Sequence, residues 1–252
     1  MRRTILVLLS AAVLLAAAVV ALAPASLVAA RVTRVSGIAM GEVEGTLWRG
    51  RGVLAAGNAR LPLAWTLDAA PLLTGELRVH LTPIDGTSTF PRADIAAGNG
   101  RLTLRDVDIV FPASLLATAI ARNATQPAGW TADGEIAVTS SRLDWAPPAG
   151  SGDLRVVWRS ARLALAAVAV VDLGELAATL VANGDRLAGP VANRGGDLDL
   201  RGDLMLQANG DAAISLVATP RRATDAALAG ALAAIGTADG AGWRVHWQTP
   251  RR

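Results

Sequence analysis

Residues 197–206 read DLDLRGDLML. Leu198, Leu200, Leu204 and Leu206 fall on one side of an extended chain, and Asp197, Asp199, Arg201 and Asp203 on the other. This period-two pattern belongs to a strand with one buried and one solvated face. The same alternation recurs along the chain. Leu61, Leu63, Trp65 and Leu67 share a face. Leu77, Val79 and Leu81 oppose Glu76, Arg78, His80 and Thr82. Ile136 pairs with Val138 across 134–139, and Leu154, Val156 and Trp158 oppose Asp153, Arg155 and Arg159. Trp243, Val245 and Trp247 oppose Arg244, His246 and Gln248. Turn residues separate these runs: Gly98-Asn99-Gly100, Asp133-Gly134, Gly150-Ser151-Gly152, Asn183-Gly184-Asp185 and Gly195-Gly196. Asn-Gly and Asp-Gly supply the positive φ of tight hairpin turns. The phrase glycine, polar residue, alternating strand recurs at Gly75, Gly134, Gly152, Gly174 and Gly202, but at irregular spacing, which favours a meander over a solenoid. The expected fold is mainly β: an antiparallel meander or curved sheet from about residue 36 onward.

Two short helices are expected within it. Pro112–Asn123 opens on proline, carries Leu115, Leu116, Ala119 and Ile120 as a stripe, and stops at Asn123. Thr224–Gly236 has a threonine cap, Leu228, Leu232 and Ile235 on one face, and Gly236 past the end.

The N-terminus is different. After Met1-Arg2-Arg3, every residue from Ile5 to Ala23 except Ser10 is apolar. Such a run, if helical, matches a hydrocarbon core of ~30 Å at 1.5 Å per residue. A cleaved signal peptide competes with this. Ala21-Leu22-Ala23 is a small-residue site followed by Pro24, and Val28-Ala29-Ala30 is another, before Arg31. The run exceeds the usual signal-peptide core of about 7–15 residues, which favours an uncleaved transmembrane helix. The expected organisation is a cytoplasmic stub and transmembrane anchor over residues 1–30 and a periplasmic β-rich domain over 31–252. A start this short before one long domain favours a cytoplasmic N-terminus.

Composition narrows the function. The 252 residues include no Cys, no Tyr and no Lys, and the formal net charge is +3. The pI of about 11.0 is therefore misleading as a sign of nucleic-acid binding. Almost nothing titrates between the α-amino group and Arg, so the value drifts upward with little charge behind it. Basic residues are interspersed with acidic ones, and no nucleic-acid partner is expected. The absence of Cys excludes disulfides, thiolate metal sites and a Cys nucleophile.

No catalytic, cofactor-binding or metal-ligating set emerges, and no small-molecule substrate is expected. His80 and His246, the two histidines, sit on charged strand faces and are expected to face solvent. Asp106/Asp108 and Asp197/Asp199 are spaced to share a face, a spacing that could serve acid–base chemistry. Outward charge neutralised by Arg101, Arg105 or Arg201 explains them better. There is no nucleophile elbow, phosphate-cradling loop or helical His-Glu motif. Trp65, Trp158, Trp243 and Trp247 read as core. Trp48 with Arg49, close to the apolar run, and Trp145, before Pro147-Pro148, are the candidate partner contacts, because Trp and Arg are enriched in interface hot spots.

One set of motifs carries a resemblance. The strand Asp153–Trp158 is followed by Val171-Asp172-Leu173-Gly174-Glu175-Leu176, Asn183-Gly184-Asp185 and Gly195-Gly196-Asp197-Leu198-Asp199-Leu200-Arg201-Gly202. Ala218-Thr219-Pro220, the helix ending Ile235-Gly236 and the turn Asp239-Gly240 follow, and Gly45-Thr46-Leu47-Trp48-Arg49-Gly50 stands early in the chain. This succession resembles protein N of the bacterial type II secretion system. The resemblance implies a bitopic inner-membrane protein with a periplasmic β domain, a non-enzymatic accessory component helping export of folded proteins across the outer membrane. Its implied partners are other secretion-system envelope proteins and inner-membrane lipid. The competing expectation is a periplasmic β-groove protein of the bridge-like, lipid-handling kind. An unfilled apolar inner face would favour that alternative, and a packed core would favour the secretion component.

Overall fold

The computed structural model describes residues 21–84, 91–123, 130–165, 169–207, 211–221, 226–240 and 242–248. Fourteen strands form one antiparallel sheet: β1 (Ala39–Gly45), β2 (Arg49–Ala56), β3 (Ala59–Leu67), β4 (Glu76–Thr82), β5 (Arg92–Gly98), β6 (Arg101–Pro112), β7 (Trp130–Ala146), β8 (Ala149–Leu165), β9 (Ala169–Asn183), β10 (Arg186–Arg194), β11 (Leu198–Gln207), β12 (Ala212–Pro220), β13 (Thr237–Asp239) and β14 (Gly242–Gln248). Each strand pairs with its chain neighbour, except that β14 lies between β12 and β13. β1 and β13 are the two edges and do not pair, so the sheet is open. The meander expected from 197–206 and its relatives is the observed architecture.

Among the described residues four helices accompany the sheet, where two were expected beyond the anchor: α1 (Ser26–Ser36), α2 (Ala69–Leu72), α3 (Ala113–Asn123) and α4 (Ala226–Ile235). The last two correspond to the expected helices. α1 ends at Gly37, whose φ of 74° lets its N–H reach Thr33 O at 2.9 Å; glycine adopts this left-handed cap without a Cβ penalty. α2 is a single turn. Asp68 holds its N-cap position but makes no side-chain cap bond, because its carboxylate is taken by His80. Among the described residues no helix is long and apolar enough to cross a membrane. The expected anchor, Ile5–Ala23, lies outside the described residues apart from Ala21–Ala23.

The sheet has one apolar face throughout. A single lateral row runs Ile109, Val138, Val156, Ala178, Val191, Gly202, Leu216, Val245, each opposite the next across the ladder from β6 to β14. Among the described residues this face packs in four clusters. Ala25, Leu63 and Trp65 form one under α1. Ala113, Ala117, Ala132 and Ile136 join α3 to β7. Leu143, Ala178, Leu180, Ala182, Leu187 and Val191 form the largest sheet-only cluster, with Leu204, Leu206 and Leu216 against it. Leu232 of α4 packs with Leu198, Leu200, Ala218 and Val171, flanked by Trp158 and Trp243. Trp65 is thus buried in the core, and Trp158 and Trp243 pack partly buried against it, in line with expectation; the side chain of Trp247 is outside what is described.

The longest strands keep this face through bulges. The apolar phase slips by one residue in β6 (Leu102, Leu104, then Val107, Ile109, Phe111), β7 (Ile136, Val138, then Leu143, Trp145), β8 (Leu154, Val156, Trp158, then Ala161, Leu163) and β9 (Val171, Leu173, then Leu176, Ala178, Leu180). Each slip coincides with a register shift in the ladder. At these points Asp106 and Ser160 have φ of 48° and Gly174 has 71°, while Gly134, with φ of 104°, lies opposite the β8 slip. An inserted residue in a bulge bends its strand and returns the following side chains to the correct face. Asp133-Gly134 and Gly150-Ser151-Gly152, expected as turns, therefore lie inside strands of 17 residues, and the β7–β8 turn is at Pro147-Pro148. Asn193, buried on the inner face, substitutes for ladder bonds where β10 parts from β11. It accepts from Leu200 N at 2.7 Å and donates to Leu173 O at 2.7 Å and Leu198 O at 2.9 Å.

Leu200 is 6% exposed, whereas Asp199 faces outward between Arg201 (3.2 Å) and Arg221 (3.4 Å). Leu200→Asp should cost at least about 3 kcal/mol by burying an unpaired charge. Asp199→Ala should cost under about 1 kcal/mol, as surface ion pairs do. Denaturant melts check both, and equal costs would overturn the facing assigned to β11.

Candidate functional site

Bulges near Asp106 and between Thr139 and Leu143 bend β5–β8 so that their charged, outward face is concave. There the sheet carries a trough of about 540 Å³. Three lateral rows build it. His80, Asp94, Arg105 and Arg142 are successive cross-strand partners from β4 to β7. Arg78, Ala96, Thr103, Asp144 and Ser151 form the second row, from β4 to β8. Glu76, Gly98 and Arg101 form the third. Small side chains at Ala96, Gly98, Thr103 and Ser151 floor the trough, and charged ones wall it.

His80 departs from the expected solvent-facing histidine. It is half-buried, with Nδ1 2.6 Å from Asp94 Oδ1 and Nε2 3.2 Å from Asp68 Oδ2. Both ring nitrogens donate in the imidazolium, which raises the His80 pKa; Asp94 contributes most and Asp68 next. Asp94 is the cross-strand partner from β5, and Asp68 arrives from the first residue before α2. His246 is exposed, as expected.

Arg105 and Arg142 face each other directly across β6 and β7. Like charges so placed are destabilising. Asp144 offsets this pair. It accepts from Arg142 Nε at 2.6 Å, and that bond, with the Thr103 hydroxyl and the nearby Arg105 charge, holds its carboxyl below the usual range. Arg78 pairs with Glu76. Arg101 and Arg105 make no ion pair among the described residues. The trough thus presents two unpaired guanidiniums over a floor of small residues.

The expected partner contacts fall in two places. Trp48 and Arg49 lie at the β1–β2 bend. This bend is clasped from both sides. Leu47 N donates to Ala23 O at 2.7 Å, Ala25 N to Gly45 O at 3.2 Å, and Leu67 N to Trp48 O at 2.7 Å. Pro24 bridges to Thr46, and the Trp65 indole donates to Leu47 O at 3.1 Å. Trp48 is half-exposed and Arg49 exposed. Trp145 lies elsewhere, turned to the inner face beside Leu143 and behind the trough, with its indole N–H buried and unpartnered. The structure does not bring Trp145 together with Trp48 and Arg49. Among the described residues no group of three or more His, Asp or Glu is arranged to hold a metal ion. Asp106 and Asp108 do not line one face evenly, because the bulge at Asp106 shifts the phase between them.

Over residues 36–246 the sequence matches the family described as type II secretion system (T2SS), protein N. The chain belongs to that family. The match begins at the last residue of α1 and runs into β14, so it takes in nearly the whole sheet. A member of this family is a component of the type II secretion system, associated with the cell envelope and acting with other secretion-system proteins in protein transport. No curated protein and no solved structure matches the chain.

The His80 contacts set a pH dependence. A histidine held above its ordinary pKa of about 6.5 contributes stability fully below that value and loses it as pH rises through the raised value. His80→Gln should therefore destabilise the domain more near pH 5.5 than near pH 9, by less than about 1 kcal/mol for so exposed a site. Thermal melts of both proteins across this range check it, and a pH-independent difference would overturn the ionic role.

Proposed function

We propose that this secretion component is a tethered docking subunit without catalytic activity. Its N-terminus is cytoplasmic, Ile5–Ala23 crosses the inner membrane once, and residues 31–252 form a periplasmic β domain. The family match over residues 36–246 carries the secretion role, and the apolar run of the sequence supports the span. The geometry supports it in two ways. The apolar inner face packs on itself and on three helices, which favours a scaffold over a lipid groove. The concave outer face concentrates charge where a partner can reach it. Unpaired Arg101 and Arg105 suit carboxylate groups of an envelope protein, since arginine forks match carboxylates in two-point contact. Trp145 backs this surface from the inner side. Trp48 and Arg49 form a second contact region at the membrane-proximal corner. Tethering beside its partners raises effective concentration, so individually weak contacts suffice.

Loss of the protein should impair release of folded exoproteins or lower the levels of the secretion machinery. Comparison of the secretome of a deletion strain with its parent checks this, and an unchanged secretome would sink the accessory role. An Arg101→Gln/Arg105→Gln double variant should fold, because both side chains are exposed and make no ion pair among the described residues, and its stability should change by less than about 1 kcal/mol. It should nevertheless complement the deletion poorly. Full complementation by a stably expressed double variant would remove the trough from the docking surface.

A further inference from the structure

We infer that one corner of the domain, formed by the β1–β2 bend and α2, lies in the surface of a lipid bilayer; this rests on the proposed membrane span of Ile5–Ala23. Strand direction alternates along the meander, so the connections after β1 and β3 emerge at the same end of the sheet. The apolar N-terminal run delivers the chain to that end with no slack. Ala23, its last residue, accepts from Leu47 N at 2.7 Å, and Pro24 bridges to Thr46. A run of this length as a helix spans the ~30 Å hydrocarbon core. The bend bonded to its final residue must then sit at the headgroup level, because no linker separates the two.

The side chains at this corner fit that position. Leu73, at the tip after α2, is 91% exposed, and Leu22 is 74% exposed. Leu72 is exposed beside Leu73. Trp48 and Arg49 occupy the bend itself, and such amphipathic side chains favour the membrane–water interface. Farther from the point of entry at the same end, the β5–β6, β7–β8 and β9–β10 connections are Asn99-Gly100, Pro147-Pro148 and Gly184-Asp185, none with a large aliphatic side chain. At the opposite end, the β2–β3 turn is Gly57-Asn58. Leu73 and Leu22 are the two most exposed large apolar side chains among the described residues, and both lie at the corner where the anchor enters, which points to lipid as the occupant; the others, such as Val170, Val181 and Val217, are less exposed and scattered over the domain.

The chain contains no cysteine, so single spin labels can be placed in the full-length protein without other changes. Leu73→Cys, Asn58→Cys and Val13→Cys variants are labelled with a nitroxide and reconstituted in phosphatidylethanolamine/phosphatidylglycerol vesicles. Collisions with oxygen, which concentrates in lipid, are compared with collisions with a water-soluble nickel chelate. The Leu73 label should lose nickel collisions and gain oxygen collisions relative to the Asn58 label. If the Val13 label reports lipid while the Leu73 label matches Asn58, the membrane span stands and the inference about the corner is overturned. A Leu73 label shielded from both reagents marks a protein contact and also overturns it. A Val13 label open to nickel overturns the span and the corner together.

Discussion

A sheet of fourteen strands that turns only one face to the core must keep every strand in phase with its neighbours, since a slip of one residue would send a leucine to water and an arginine inward. The rest of the structure follows from this constraint. Strands of seven to ten residues satisfy it by plain alternation, except β1, which slips at a bulge between Gly41 and Glu44. The long strands β6 to β9 cannot, because their twist would carry a strict alternation out of line with the curling sheet, and each therefore has a phase slip at a bulge. The slips in β6, β8 and β9 hold residues with positive φ, Asp106, Ser160 and Gly174, and Gly134 faces the β8 slip from across the ladder. The bends they introduce close the inner face around Leu143 and Leu180 and hollow the outer face above Thr103. Core and trough are two sides of one deformation.

Much of this was legible from alternation alone. The facing of β3, β4, β11 and β14, the meander order and the two helices α3 and α4 follow from local pattern. What was misread were the interruptions. Gly134 and Gly152 resemble turn residues, because a turn and a bulge ask the same positive φ of the backbone, and only the continuing ladder tells them apart. The phase slips themselves stand in the sequence, as in Leu102, Leu104, then Val107, Ile109, and would have revealed the long strands. α1 was hidden because Ser26–Ser36 follows the apolar run directly, has no acidic first turn and buries no residue of its own, and α2 because one turn leaves no periodicity.

The charged surface was less legible than the core. His80 alternates like any outward residue, and nothing local announces Asp94, fourteen residues on, or Asp68, twelve residues back. Likewise Arg105 meets Arg142 only through the β6–β7 register, across the span that contains α3. Trp145 was a candidate partner contact, and it falls on the apolar phase established by Leu143. The functional assignment drew on a succession of strand and turn motifs rather than on any one residue, which suits a protein whose family is defined by a whole sheet.

The pairing order has a consequence for how such a chain acquires its structure. Through β12 every strand finds its partner immediately before it, so a chain delivered from its N-terminus, whether by a ribosome or through a membrane channel, can add hairpins one at a time to an existing edge. Contacts of low sequence separation form quickly and spare a nascent chain the search for a distant partner. The exception is the final step. β14 inserts between β12 and β13, so β13 can join only after the last strand has docked, and the growing edge stays open until the C-terminal segment is out. The edge that would otherwise recruit stray strands is then covered by three residues only, the shortest strand in the sheet.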